Sequence, residues 1–279
     1  MSDTLPPWLP PLFALLGRIS PRAAASLAQR LLTRPVSQNP PQDWELEKGP
    51  VPAGTRVLAS GIHVREWGEQ GPVILAQHGW RGRTTQFRVL AEGLVQRGFR
   101  VVAVEGPGHG LTPGSRSTPR RLADNLLAVA REFGEVAGVI GHSLGGAAAG
   151  IAVELGLATP RLVLIGSPTH VSRLVWAFAD SLRLPPAAQA ELRRSIDQLA
   201  GRPAEQLDLV PLAARLPARC LVVHDLDDDI VSVEEARELL AAWPGAESLL
   251  TSGFGHRELL AAPEVVERVI AFITAPAAP

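Results

Sequence analysis

The chain has 279 residues, 46% hydrophobic and 20% charged, a balance that suits a soluble globular protein and excludes a disordered one. Its formal charge of −1 gives no strong field for nucleic acid or an anionic membrane, so neither is expected as a partner and no stable membrane anchor is expected. Cys220 is the sole cysteine, which excludes an internal disulfide and a paired-cysteine metal site; it lies in an apolar run and reads as a small buried hydrophobe.

Residues 1–50 read as an N-terminal extension. Trp8 to Leu16 is apolar, but Pro6, Pro7, Pro10 and Pro11 interrupt it, Asp3 precedes it, and no Lys or Arg forms the start of a secretory leader. No apolar run approaches the length of a spanning helix. The expectation is a cytoplasmic protein; the alternative for residues 8–16 is contact with a membrane or a partner. A helix is expected from Pro21 to Leu32, with Ser20 as N-cap and Pro21 at the first helical position. Pro35 ends it, and a Pro-rich link from Pro40 to Pro52 follows.

Then strands and helices alternate. Thr55 to Ala59 and Ile62 to Trp67 read as two strands around a Ser60-Gly61 turn. Val73 to Gln77 is a short apolar run of buried-strand type, ending in His78-Gly79-Trp80. Thr84 to Arg97 reads as a helix stopped by Gly98. Phe99 to Val104 is a strand that enters the loop Gly106-Pro107-Gly108-His109-Gly110. Thr118 caps a helix that runs from Pro119 to about Phe133. Val136 to Ile140 is the next strand, followed by Gly141-His142-Ser143-Leu144-Gly145 and a small-residue helix. Arg161 to Ile165 is a strand. Residues 168–216 hold helical patterns and prolines with no clear strand, and read as an inserted cap. Ala218 to His224 is a strand, Ser232 to Glu235 a capping box before a helix to Trp243, and Ala246 to Leu250 a strand. Pro263 opens a last helix to about Ile273. This alternation predicts an α/β fold: a mostly parallel sheet with helices on both faces, core segments 51–167 and 217–279, and the helical cap inserted at 168–216.

The glycines of 141–145 fit one purpose. A serine that must project its hydroxyl from a strained strand-to-helix turn crowds the residues two before and two after it. The helix that follows aims backbone N–H groups and its dipole at the serine, where an oxyanion can form. A serine hydroxyl needs a base, and histidine is the natural one near neutral pH. His256 sits in the Gly-rich loop Ser252 to Arg257 after the last strand. The base needs an orienting carboxylate, and Asp225, Asp227, Asp228 and Asp229 are all available. A calcium loop is not completed by this cluster. Tyrosine is absent from the chain, so none acts in the site.

These motifs together resemble the α/β-hydrolase superfamily, over roughly residues 55–275. The order Ser, Asp, His along the chain is the order this superfamily uses. The resemblance implies Asp228 as the acid, with Asp225 standing where glycine is usual and Ser232 where proline is usual; Asp225 and Asp227 remain alternatives. It implies the N–H groups of Leu144 and Trp80 as oxyanion donors, with Trp80 also lining an acyl pocket. His78, His109, His142 and His224 are expected to be structural hydrogen-bonders. Substrate contacts are expected from His170 and Trp176 in the cap and from Arg81 and Arg83 beside the oxyanion loop. The expected reaction is hydrolysis of a carboxylic ester of a small, hydrophobic acyl substrate, with no metal or organic cofactor. Thioester hydrolysis, acyl transfer and C–C bond hydrolysis on the same triad are alternatives, as is a non-catalytic relative that binds a small ligand. A halogen–carbon hydrolase would want a carboxylate at position 143. Oligomeric state and the role of residues 1–50 stay open.

Overall fold

The short runs rich in Val, Ile and Leu form strands because branched side chains pack well on a pleated surface. The computed structural model, which describes residues 5–35, 40–47, 49, 51 and 53–276, joins eight of them into one sheet. They are β1 (Ala53–Val57), β2 (His63–Trp67), β3 (Val73–Gln77), β4 (Arg100–Val104), β5 (Val136–His142), β6 (Arg161–Ile165), β7 (Arg219–Asp225) and β8 (Glu247–Thr251), in the order β1-β2-β4-β3-β5-β6-β7-β8. β1 and β2 pair antiparallel, as do β2 and β4. All later pairings are parallel, with Leu75 opposite Val139 at the centre. Asp3 and Pro52, which entered the reading of the N-terminal segment, lie outside the described residues.

Strand period divides the core into two layers. Ile74, Ile140 and Val223 point to one face, where they meet α4 (Arg88–Val95) and α11 (Pro263–Thr274) through Leu90, Leu94, Val265 and Phe272. Their neighbours Leu75, Val139 and Val222 point to the other, against α5 (Pro119–Phe133), α6 (Leu144–Glu154) and α10 (Val233–Ala242) through Leu122, Leu126, Ile151 and Leu239. Thr118 caps α5 by accepting from the Arg121 N–H at 3.2 Å. The expected helix from Thr84 is instead a 3-10 turn, Thr84–Phe87, that continues as α4.

The N-terminal prolines do not interrupt a helix. Pro10 and Pro11 lie in the first turn of α1 (Leu9–Ile19), where the missing N–H has no intrahelical partner to lose. α2 (Pro21–Thr33) follows at once, with Ser20 accepting from the Ala23 N–H at 3.4 Å. Residues 168–216 contain α7 (Val171–Ser181), α8 (Pro186–Ala200) and α9 (Leu209–Ala213). Phe13, Ala24, Ala25 and Ala28 of α1 and α2 share one buried cluster with Val175, Ala179, Leu192 and Ile196 of α7 and α8. The N-terminal helices and the inserted helices therefore form one apolar layer. α9 packs elsewhere, its Leu209 and Leu212 joining the cluster that holds α6.

The capping box expected at Ser232 is half made. Ser232 accepts from the Glu234 N–H at 3.3 Å, but the Glu235 carboxylate reaches across to the segment entering α7. It accepts from the Thr169 N–H at 2.7 Å, the Thr169 hydroxyl at 2.6 Å and the His170 N–H at 3.0 Å. A carboxylate that satisfies three donors outside its own helix holds more than a cap would.

Candidate active site

Ser143 joins β5 to α6 with φ 55° and ψ −131°, a conformation L side chains rarely adopt. The turn is tight because its neighbours lack side chains. A Cβ on Gly145 would overlap the carbonyls of Gln77 and His78 at the end of β3. A Cβ on Gly79 would stand 2.6 Å from the Ser143 Cβ and 3.0 Å from its hydroxyl oxygen. The loop after β3 therefore lies directly against the serine. The Ser143 N–H donates to the Ile165 carbonyl at 2.9 Å, which fixes the turn to the end of β6. Leu144 is the first residue of α6, so its N–H is one of those a helix leaves without an internal partner.

The loop after β7 brings the carboxylate. Asp228 Oδ2 lies 2.7 Å from His256 Nδ1, while Asp228 Oδ1 accepts from the N–H groups of Ile230 at 2.8 Å and Val231 at 2.9 Å. Burial works against its charge, but the bonds from His256, Val231 and Ile230 outweigh it and hold the carboxyl below its ordinary value. The side chain is an ionised acceptor at neutral pH. With Nδ1 engaged, Nε2 is the imidazole nitrogen left for proton transfer. His256 and Asp228 stand beside Gly166, just after β6: a Cβ there would lie 3.3 Å from Asp228 Oδ2 and 3.4 Å from His256 Nδ1. Serine, imidazole and carboxylate thus converge on the end of one strand. Among the described residues no hydrogen bond joins the Ser143 hydroxyl to His256.

Of the other three aspartates, Asp229 is exposed, and Asp225 and Asp227 hold loops rather than the imidazole. Asp225 is fully buried and accepts from the Thr251 hydroxyl at 2.7 Å and from the N–H groups of Asp227 at 3.0 Å, Gly255 at 3.0 Å and Phe254 at 3.3 Å. Burial opposes its charge, and these four bonds prevail and lower its pKa. It clamps the loop that delivers His256. Asp227 accepts from the Gly253 N–H at 2.8 Å and adds a second clamp. The departure from glycine at 225, visible in the sequence, therefore has a structural use.

The four other histidines near the site each make a hydrogen bond within the fold. His78 Nε2 accepts from the Gly106 N–H at 3.0 Å while its Nδ1 pairs with the Gly79 carbonyl at 2.8 Å. Burial first, then His109 beside it, pushes its pKa down to about 3. His109 accepts from the Arg81 N–H at 3.0 Å. His142 Nε2 donates to the His256 carbonyl at 2.8 Å, and burial, then His256, pushes it down to about 3. His224 is fully buried and donates to the Val231 carbonyl at 2.8 Å, with Asp228 Oδ2 at 3.6 Å. Burial lowers the pKa of His78, His109 and His142, and all four histidines pin one segment of the site to another.

The five expected substrate contacts are placed as follows. Trp80 is half-buried after Gly79, with its ring edge-on to His109 at 5.9 Å. Arg81 follows it with φ 56°. Arg83 Nε lies 3.7 Å from Glu45 Oε2, on α3 (Asp43–Leu46). In the cap, His170 faces Glu235 at 3.3 Å and Glu238 at 3.4 Å, at the root of α7. The Trp176 ring lies under the Arg193 guanidinium at 4.1 Å, inside the cap layer. Trp80 thus follows the glycine that packs on the serine, whereas His170 and Trp176 are engaged within the cap and its attachment.

A family model described as the alpha/beta hydrolase family matches residues 73–269, from β3 into α11. The chain belongs to the α/β hydrolase family. A serine hydrolase-like protein of Dictyostelium discoideum is 30% identical to this hydrolase over 115 residues, 38% of this chain and 31% of that protein. The match thus spans about a third of that relative's length. Among solved structures, an esterase from a Rhodococcus species superposes with TM-score 0.58 at 23% identity, covering 81% of this chain and 99% of that one. A 2-hydroxy-6-oxo-6-phenylhexa-2,4-dienoate hydrolase from Rhodococcus gives 0.59 at 19%, covering 81% and 100%. Mouse alpha/beta hydrolase domain-containing protein 10 gives 0.61 at 16%, covering 80% and 96%. At these identities the likeness establishes the fold of this hydrolase and leaves its substrate to the site.

Proposed function

We propose that this α/β hydrolase cleaves a carboxylic ester of a small hydrophobic substrate through an acyl-enzyme on Ser143. The observation that carries this is the 2.7 Å contact between Asp228 and His256 at the strand end where Ser143 is held at positive φ. The Ser143 oxygen attacks the ester carbonyl as His256 Nε2 takes its proton. Asp228 keeps the imidazole in the tautomer with its proton on Nδ1 and stabilises the cation that forms. The C–O bond to the alcohol breaks, and the alcohol leaves with the proton from His256. Water then attacks the acyl-enzyme by the same route, releasing the acid and restoring the serine. The tetrahedral oxyanion is received by the N–H groups of Leu144 and Trp80, each contributing about 3 kcal/mol to the transition state. The missing serine–imidazole bond is one that substrate binding has to complete, as catalytic bonds in empty sites often require.

Relatives of this fold include an esterase and a C–C hydrolase, so the bond cleaved is tested directly. A panel of p-nitrophenyl esters of rising chain length, acyl-thioesters and a vinylogous diketone substrate separates the chemistries. The proposal predicts the highest kcat/KM on an ester, and loss of that activity in Ser143→Ala with the fold retained. Turnover of thioester or C–C substrate with no ester turnover would replace it.

A further inference from the structure

We propose that the outer faces of α1 and α2 dock this protein on an anionic lipid bilayer. Both helices lay one face on the same buried cluster, through Phe13 and through Ala24, Ala25 and Ala28. Their opposite faces therefore point away from the molecule. On α1 that outer face is apolar: Trp8, Leu12, Leu15 and Ile19, spaced i, i+4, i+7 and i+11, are all exposed, Trp8 by 62% and Ile19 by 74%. On α2 it is mixed: Leu27, Arg30, Leu31 and Arg34, at i, i+3, i+4 and i+7, are all exposed. Exposed large hydrophobics are ordinary when scattered, but here six fall on two consecutive helices.

Charge selects the occupant. Residues 5–35 hold Arg18, Arg22, Arg30 and Arg34 and no acidic residue. The pairing 3.5 Å away for Arg22 is Glu191 on α8, outside the segment. A second copy docked by the same face would set arginines against arginines. Lipid phosphates and carboxylates supply the opposite charge, and the acyl boundary receives Trp8 and the leucines; apolar residues backed by arginines are what an interfacial helix presents. The segment lies on the bilayer rather than across it. An 11-residue helix is about 16 Å long, half a hydrocarbon core, and no described helix is long and apolar enough to cross a membrane. The near-neutral whole-chain charge conceals this segment, because the acidic residues lie elsewhere. Docking there sets the α7–α8 layer next to the lipid, and it does not depend on the chemistry at Ser143.

The test is co-sedimentation of the full chain with phosphatidylcholine vesicles and with vesicles containing about 30 mol% phosphatidylserine. The wild type is expected to pellet with the anionic vesicles, stay in the supernatant with the neutral ones, and be released by salt. The surface triple Leu12→Ser/Leu15→Ser/Ile19→Ser and the double Arg30→Glu/Arg34→Glu are each expected to lower partition at least tenfold, since one surface arginine alone is worth about fivefold. Circular dichroism checks that both keep their fold, and the charge pair carries the test if the triple does not. Wild type that stays in the supernatant with both vesicles overturns the proposal. So does a concentration-dependent dimer, seen by light scattering, that either variant dissociates while no vesicle binding occurs.

Discussion

Asp228 and Asp225 show how one residue's surroundings decide its use. Both are buried carboxylates near the end of β7, yet only Asp228 meets the imidazole, while Asp225 takes four bonds from the loop that carries it. Asp228→Asn is expected to lower kcat by about 10⁴, because the amide favours the wrong imidazole tautomer, with little change in Tm. Asp225→Ala strands buried N–H groups and is expected to act on stability, lowering it by about 1–3 kcal/mol, before it acts on kcat. Steady-state kinetics beside thermal melts separates the two; the reverse pattern would move the acid role to Asp225. In the sequence only the family resemblance pointed to Asp228, with Asp225 and Asp227 as alternatives. The sequence held no sign of Asp225's partners, because those bonds close only when residues 251–255 fold back on β7.

At the level of elements, strand and helix positions were legible wherever local chemistry dominates. Val73–Gln77, Arg161–Ile165 and the Thr118-capped helix appear with the bounds their patterns predict. α1 was not read, because prolines in a first turn look like interruptions until the helix is known to begin there. Its packing on α8 was not legible at all: the two lie more than 160 residues apart, like Gln29 and the Ser195 carbonyl it bonds at 3.0 Å. Glu235 belongs to the same class. Its i, i+3 spacing from Ser232 suggests a local cap, but a nearby pair of N–H groups at Thr169 and His170 competes successfully. Glu235→Ala is expected to loosen the root of α7, seen as faster amide exchange in residues 168–182 and about 1–3 kcal/mol less stability. Unchanged exchange there would show that the cap is held by its apolar layer alone.

For the molecule as a whole, burial of His78 and His142 makes stability fall as the solution turns acid. His78 and His142 are each pushed from an ordinary 6.5 to about 3, mainly by burial. Between those values the unfolded chain binds protons that the folded chain refuses. Their contribution is therefore full above pH 6.5 and declines as pH falls toward 3, by about 1.4 kcal/mol per pH unit for each histidine. Denaturant melts from pH 7 to pH 5 are expected to show this decline, and His142→Gln, which keeps a donor for the His256 carbonyl, to flatten it by about one proton. A slope unchanged by that substitution would mean His142 is protonated in the fold. The strand–helix alternation of the sheet and the Gly141–Gly145 turn were legible because each rests on short-range pattern, whereas the order of Ser143, Asp228 and His256 came with the family resemblance. Substrate contacts were not legible: His170 and Trp176, expected to make them, contact Glu235 and Arg193.

Ser143 is proposed as a nucleophile made reactive by His256 and Asp228. The most direct measurement is the rate of labelling by a fluorophosphonate, with the modified peptide identified by mass spectrometry. The account predicts one adduct, on Ser143, formed quickly in the wild type, orders of magnitude more slowly in His256→Ala and Asp228→Asn, and absent in Ser143→Ala. A folded wild type that takes no label, or takes it on another residue at the same rate in all four proteins, would contradict the account and leave a small-ligand-binding relative in its place.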